Sequence, residues 1–312
     1  MPRLTALAML MYMLKKFARF APVLLLFSAL VSALQGADFS FDSAGVKIHY
    51  TVEGKGEPVI LIHGYAASIA ANWGQPGVIK GLADSYEVIA IDNRGHGQSD
   101  KPHDAASYGP KMVDDVVRLM DHLKIKKAHI VGYSMGGFIT EAMLTEHPNR
   151  MLTATLGGAG WSDPKDQTQA NLLNQLADSL EQGKGIGPLI IALNPVGAPP
   201  PTPQAVEMTN KMFLAANDPL ALAAVARAHM PQPSEAKIRA NKVPTLALIG
   251  ELDPLKAGVD QLKTMMPKLT VVVIPGANHL TAFANPLFLS SLRSFLAEHS
   301  KAPHAKAQAT GN

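Results

Sequence analysis

The chain has 312 residues, 47% of them hydrophobic and 17% charged, enough to bury a real core in one large or two modest domains. Its formal charge of +3 originates in the first 36 residues, where Arg3, Lys15, Lys16 and Arg19 meet no acidic residue; the remainder sums to about −1, which argues against a nucleic-acid partner. There is no cysteine, so disulfides, thiolate metal sites and a cysteine nucleophile are excluded together.

In chain order, Lys15, Lys16 and Arg19 precede an apolar run from Phe20 to Leu34, followed by small residues. A basic region, an apolar core of about 7 to 15 residues and a small-residue site is the layout of a secretory signal peptide, here with cleavage expected near Ala33 or Ala37. Extended by Leu4 to Leu14, the same segment would instead serve as an uncleaved signal anchor. Residues 1–36 are therefore expected to export the protein to the periplasm or medium. If uncleaved, they would provide its membrane contact.

The alternating segment Val46 to Val52 and the Gly54/Gly56 turn predict the start of a hairpin. Pro58 to Ile62 is a continuous apolar run, as expected of a strand buried on both faces of a parallel sheet. Similar runs recur at Val88 to Ile91, Ala128 to Val131, Met151 to Leu156, Thr245 to Ile249 and Val271 to Ile274. Helical-period stretches such as Met112 to Leu123 separate them, which predicts an α/β fold with a mostly parallel, doubly wound sheet. Ligands in such sheets bind at the carboxyl ends of the strands.

Between Trp161 and Val243 no strand is predicted. Helical stretches at about 170–180, 204–215 and 219–229 are interrupted by Pro195, Pro199, Pro200, Pro201 and Pro203. Residues 161–243 are thus expected to form a helical cap inserted into a core made of 37–160 and 244–299, with the proline-rich part as a stiff connector. The small, polar tail at 300–312 reads as disordered.

The chemistry converges on Gly132-Tyr133-Ser134-Met135-Gly136-Gly137, between a strand run and the helical run Phe138 to His147. A G-x-S-x-G turn in that context exposes its serine hydroxyl, which becomes a useful nucleophile only with a base and an orienting carboxylate. His279, in the loop after the last strand run, is the candidate base, and Asp253, in the loop after Ile249, the candidate acid; Asp163 is the alternative acid. His63 is expected to stabilise its loop, and Arg94, His96 and Asp92 to form a structural turn and ion-pair cluster. Gly183 to Gly187 imitates a phosphate loop but follows a helix, so it is discarded.

With LIHGYAAS, IDNRGHGQSDKP, GYSMGG, GELDPL and GANHLTAF in this order, the chain resembles the α/β-hydrolases over nearly all of residues 39 to 299. The resemblance implies an oxyanion hole from the backbone N–H groups of Tyr65 and Met135. It implies acyl transfer through Ser134, His279 and Asp253, with no metal or organic cofactor. Serine at the elbow disfavours the haloalkane dehalogenase and epoxide hydrolase relatives, which use aspartate there. The expected activity is hydrolysis of small to medium carboxylic esters, so the partner is a small-molecule substrate. Carbon–carbon bond hydrolysis of the meta-cleavage type, lactonase, perhydrolase or acyltransferase activity are alternatives, as is a non-catalytic ligand-binding role. Trp161, Met212 and Phe213 are candidate pocket residues.

Overall fold

The computed structural model describes residues 37–230 and 232–300; the expected leader and nearly all of the tail lie outside them. Eight strands form one sheet: β1 (Ala37–Asp42), β2 (Lys47–Glu53), β3 (Glu57–Ile62), β4 (Tyr86–Ile91), β5 (Ala128–Tyr133), β6 (Met151–Gly157), β7 (Thr245–Gly250) and β8 (Thr270–Ile274). Their order is β1-β2-β4-β3-β5-β6-β7-β8, parallel from β4 to β8, with β2 antiparallel to β4.

The expected hairpin does not form, because β2 pairs with β4 rather than with β3. The turn between them passes close to the start of β4: a Cβ at Gly54 would lie 2.4 Å from the Tyr86 carbonyl oxygen. The chain thereby crosses to the far side of β4 before β3 begins.

Apolar residues alternate between the sheet's faces, and this distributes the helices. Val59, Leu61, Val88, Ala90 and Val131 face α1 (Val78–Ala83) and the last helix, α10 (Pro286–His299). Ile60, Ile62, Ile89, Ile91 and Ile130 face α2 (Pro110–His122) and α3 (Met135–Glu146). With both faces covered, the central strands read as unbroken apolar runs.

Between β6 and β7 the chain forms α4 (Thr168–Glu181), α5 (Gly187–Ala192), α6 (Pro203–Ala216), α7 (Pro219–Arg227) and α8 (Glu235–Arg239). Helix α9 (Lys256–Met265) follows β7. Among the insert's helices α7 is the most deeply set, with Ala221 to Ala226 all buried. Among the described residues, no helix is long and apolar enough to cross a membrane.

Candidate active site

Strand β5 ends at Tyr133 and α3 begins at Met135, so Ser134 alone makes the turn, at φ 53° and ψ −117°. An L-residue held there stores on the order of 1–3 kcal/mol, which its surroundings must impose. They do so by close approach. The Ser134 N–H donates to the Gly157 carbonyl (2.8 Å), and a Cβ at Gly132 would lie 1.9 Å from the Gly136 carbonyl oxygen. Only glycine fits at 132 and 136, and Ser134 is left half-buried at the carboxyl edge of the sheet.

Two further loops at that edge deliver the partners. His279 follows β8 and Asp253 follows β7, and the loops are stitched together: Leu252 N–H donates to the Ala277 carbonyl (2.9 Å) and Gly276 N–H to Glu251 Oε2 (2.8 Å). His279 Nδ1 stands 2.9 Å from Asp253 Oδ2, and its Nε2 stands 2.9 Å from Ser134 Oγ. Asp253 and His279 are 1% and 3% exposed, so the hydrogen bond between them is shielded from competing water, while the one to Ser134 is half-buried. Asp253 Oδ1 accepts from Leu255 N–H (2.9 Å), which fixes the carboxylate plane. A carboxylate can only accept; Nδ1 therefore carries the proton and Nε2 offers its lone pair to the serine hydroxyl.

Tyr133, the variable residue of the elbow, was not singled out by sequence. Its hydroxyl donates to the His279 carbonyl (2.6 Å) and its ring packs on Phe283 and Phe288, so the strand that presents Ser134 also clips the loop of His279.

Two backbone N–H groups make no hydrogen bond among the described residues, that of Met135, the residue after Ser134, and that of Tyr65. Met135 opens α3, where N–H groups are unsatisfied and the helix dipole is positive. Tyr65 follows Gly64, whose absent Cβ would sit 3.1 Å from Ser134 Cβ and whose own N–H is taken by Asn72 Oδ1 (2.8 Å).

Residues 57–186 match the alpha/beta hydrolase fold family. The enol-lactonase of Burkholderia xenovorans LB400 superimposes with a TM-score of 0.67 over 83% of this chain and 100% of that one, at 20% identity. The chain has the α/β-hydrolase fold. Among curated relatives, the 2-hydroxymuconate semialdehyde hydrolase of Pseudomonas sp. strain CF600 is 38% identical over 125 residues, 39% of this chain and 44% of that protein. The acetyltransferase component of the acetoin cleaving system of Cupriavidus necator is 38% identical over 116 residues, 37% of this chain and 30% of that protein. The chain thus spans less than half the length of either relative in the match.

The other residues considered from sequence fall outside the hydrogen-bonded set of Ser134, His279 and Asp253. Asp163 is exposed and accepts from Lys165 N–H, whereas His279 Nδ1 pairs with Asp253. Met212 is 69% exposed on α6. Phe213 lies in the main core, and Trp161 packs among Leu156, Ile249 and Leu262 with its indole N–H donated to the Pro233 carbonyl (2.7 Å). Arg94 does not pair with Asp92; its guanidinium makes a bidentate bond to Asp115 of α2 (both 2.6 Å), while Asp92 accepts from Ile69 and Gln98 N–H and meets His49 Nδ1. Among the described residues, no group of three or more His, Cys, Asp or Glu side chains is placed to hold a metal ion.

Buried titratable groups behind the site give stability a definite pH profile. His63 Nδ1 donates to the Gly64 carbonyl and Nε2 accepts from Asn93 N–H, the bonding of a neutral ring, and burial lowers its pKa. Burial lowers His96 to about 3 from 6.5, while burial pushes Glu141 of α3 up to about 8 from 4.5. Below 6.5 the unfolded chain binds more protons at these histidines, so stability falls with falling pH; above 4.5 it releases one at Glu141, so stability falls with rising pH. Thermal melts should place maximum stability between about 4.5 and 6.5. Glu141→Gln should flatten the loss from about 6.5 to about 8, and an unchanged slope there would contradict the assignment.

Proposed function

We propose that this protein is a serine hydrolase of small to medium carboxylic esters. The observation that carries the reading is the unbroken chain from Asp253 Oδ2 through His279 to Ser134 Oγ, with both links at 2.9 Å. As Ser134 Oγ attacks the ester carbonyl carbon, His279 Nε2 takes its proton, and Asp253 stabilises the imidazolium through Nδ1–H. The carbonyl oxygen becomes an oxyanion held by the Tyr65 and Met135 N–H groups. Two such donors contribute several kcal/mol to lowering the barrier, losing one typically costing about 3. The tetrahedral species collapses, His279 gives its proton to the departing alcohol, and the acyl group stays on Ser134. Water then repeats the attack with His279 as base and frees the acid and the serine.

Asp253→Asn tests the orienting part of this reading. An asparagine amide can donate to Nδ1 and so place the imidazole proton on Nε2, facing Ser134 with a donor. Turnover of a short p-nitrophenyl ester should fall by roughly three to four orders of magnitude with little change in KM. A loss under tenfold would point to another acid.

A second reading is favoured by the names of the relatives. The same arrangement could open a lactone or cleave a carbon–carbon bond next to a carbonyl, the reactions for which the enol-lactonase and the semialdehyde hydrolase are named. Profiling purified protein on matched ester, lactone and vinylogous diketone substrates separates them by kcat/KM.

A further inference from the structure

Tyr65 contributes more than a backbone N–H. Its hydroxyl crosses from the loop after β3 to the helical insert and donates to the Leu222 carbonyl in the middle of α7 (2.8 Å). Its ring is packed edge-on against His96, 5.8 Å between centroids. The peptide joining Gly64 to Tyr65 is held at its carbonyl, which accepts from His63 Nδ1 (2.7 Å) and Ala67 N–H (3.3 Å), while Asn72 Oδ1 holds the preceding N–H, that of Gly64. On its other side α7 holds the Tyr65 side chain. The next residue, Ala66, sits at φ 59°, a conformation that an alanine keeps only when its neighbours enforce it.

Helix α7 is itself fixed to the core. Asp218 caps its first turn by accepting from Leu220 and Ala221 N–H (both 3.0 Å) and also meets His103 Nε2 (2.9 Å) in the loop after β4. Arg227 at its other end pairs with Asp178 and Glu181 of α4. On the core side, Cβ atoms at Gly95 and Gly109 would lie 3.2 Å from Val225 Cγ2 and 3.0 Å from the Ala228 carbonyl oxygen.

We infer that Tyr65 is a positioning residue through which the helical insert, by the bond from its phenol to the Leu222 carbonyl, sets the direction of the Tyr65 N–H that stabilises the oxyanion. The inference rests on the acyl-transfer reading. It makes the insert a determinant of transition-state stabilisation as well as of access. A donor aimed at the oxyanion acts when charge develops, so misaiming it lowers kcat and spares KM.

The test is Tyr65→Phe, which keeps the ring and its packing and deletes one hydrogen bond. With p-nitrophenyl acetate, kcat should fall about tenfold, part of the effect of losing a donor outright, while KM stays within about twofold. Asp218→Ala loosens α7 without touching the site and should give a loss of the same kind. Because both act through one linkage, the double variant should be no slower than the slower single variant. Fluorophosphonate labelling of wild type separates the two claims. If wild type forms no Ser134 adduct, the acyl-transfer reading fails and the inference with it. If wild type labels and turns over, the inference alone is overturned by an unchanged kcat in Tyr65→Phe, by equal losses in kcat and 1/KM, or by additive losses in the double variant.

Discussion

Ser134→Ala should lower ester turnover by roughly four to six orders of magnitude, the scale seen when a triad nucleophile is removed. Without Oγ there is no atom within reach of His279 Nε2 to deprotonate, so the hydrogen-bonded chain ends without a nucleophile. What remains is the stabilisation offered by the two free N–H groups to an attack by water. The fold should barely change, because alanine bears the same strain at φ 53° as serine and loses one half-buried hydrogen bond. Ser134→Gly sharpens the point. Glycine is at ease at positive φ, so this variant should be as inactive as Ser134→Ala yet more stable by about 1 kcal/mol. Kinetics on a short p-nitrophenyl ester and urea melts on the two variants check both halves. Hydrolysis by Ser134→Ala within tenfold of wild type would remove the serine from the mechanism.

Gly136→Ala should have a large effect on stability. The added Cβ would lie 2.0 Å from the Ile62 carbonyl oxygen and 2.8 Å from that of His63. Both are backbone atoms at the end of β3, so relief requires moving the strand or the helix. A cost of about 3 kcal/mol or more is expected, at or above the upper end for overpacking. The strand end that must yield leads directly to Tyr65, so the folded fraction should also lose activity. Gly183→Ala is the control: its φ is +68°, but no atom lies within 4 Å of the new Cβ, so its cost should be about 1 kcal/mol. Equal unfolding midpoints for the two variants would contradict the packing described for the elbow.

The residues brought together in the structure show what a sequence can and cannot reveal here. Strands β3 to β7 were legible because burial on both faces turns each into an unbroken apolar run, and Ser134, Asp253 and His279 were legible because each follows such a run. Strand β1 carried no such signal, since Phe41 is its one buried residue. The Gly54/Gly56 turn has hairpin chemistry, but β2 pairs with β4 because of where the chain goes after the turn. Helices α5 and α8 have six and five residues, too few to show a helical period. Tyr133, Asn72 and Asp115 act through partners that are 8 to 146 residues away along the chain, and only the fold brings them close. Asp92 looked like the obvious partner of Arg94 by proximity in sequence, yet it is committed to backbone N–H groups, and the guanidinium reaches α2 instead.

The most direct test of the central claim is labelling of purified protein, without residues 1–36, by a fluorophosphonate probe, with mass spectrometry of the modified peptide. An activated serine should give a stoichiometric adduct on Ser134, absent in Ser134→Ala and much slower in His279→Ala. Folded protein that forms no adduct, or forms it elsewhere, would contradict the assignment of Ser134, His279 and Asp253 as a working triad.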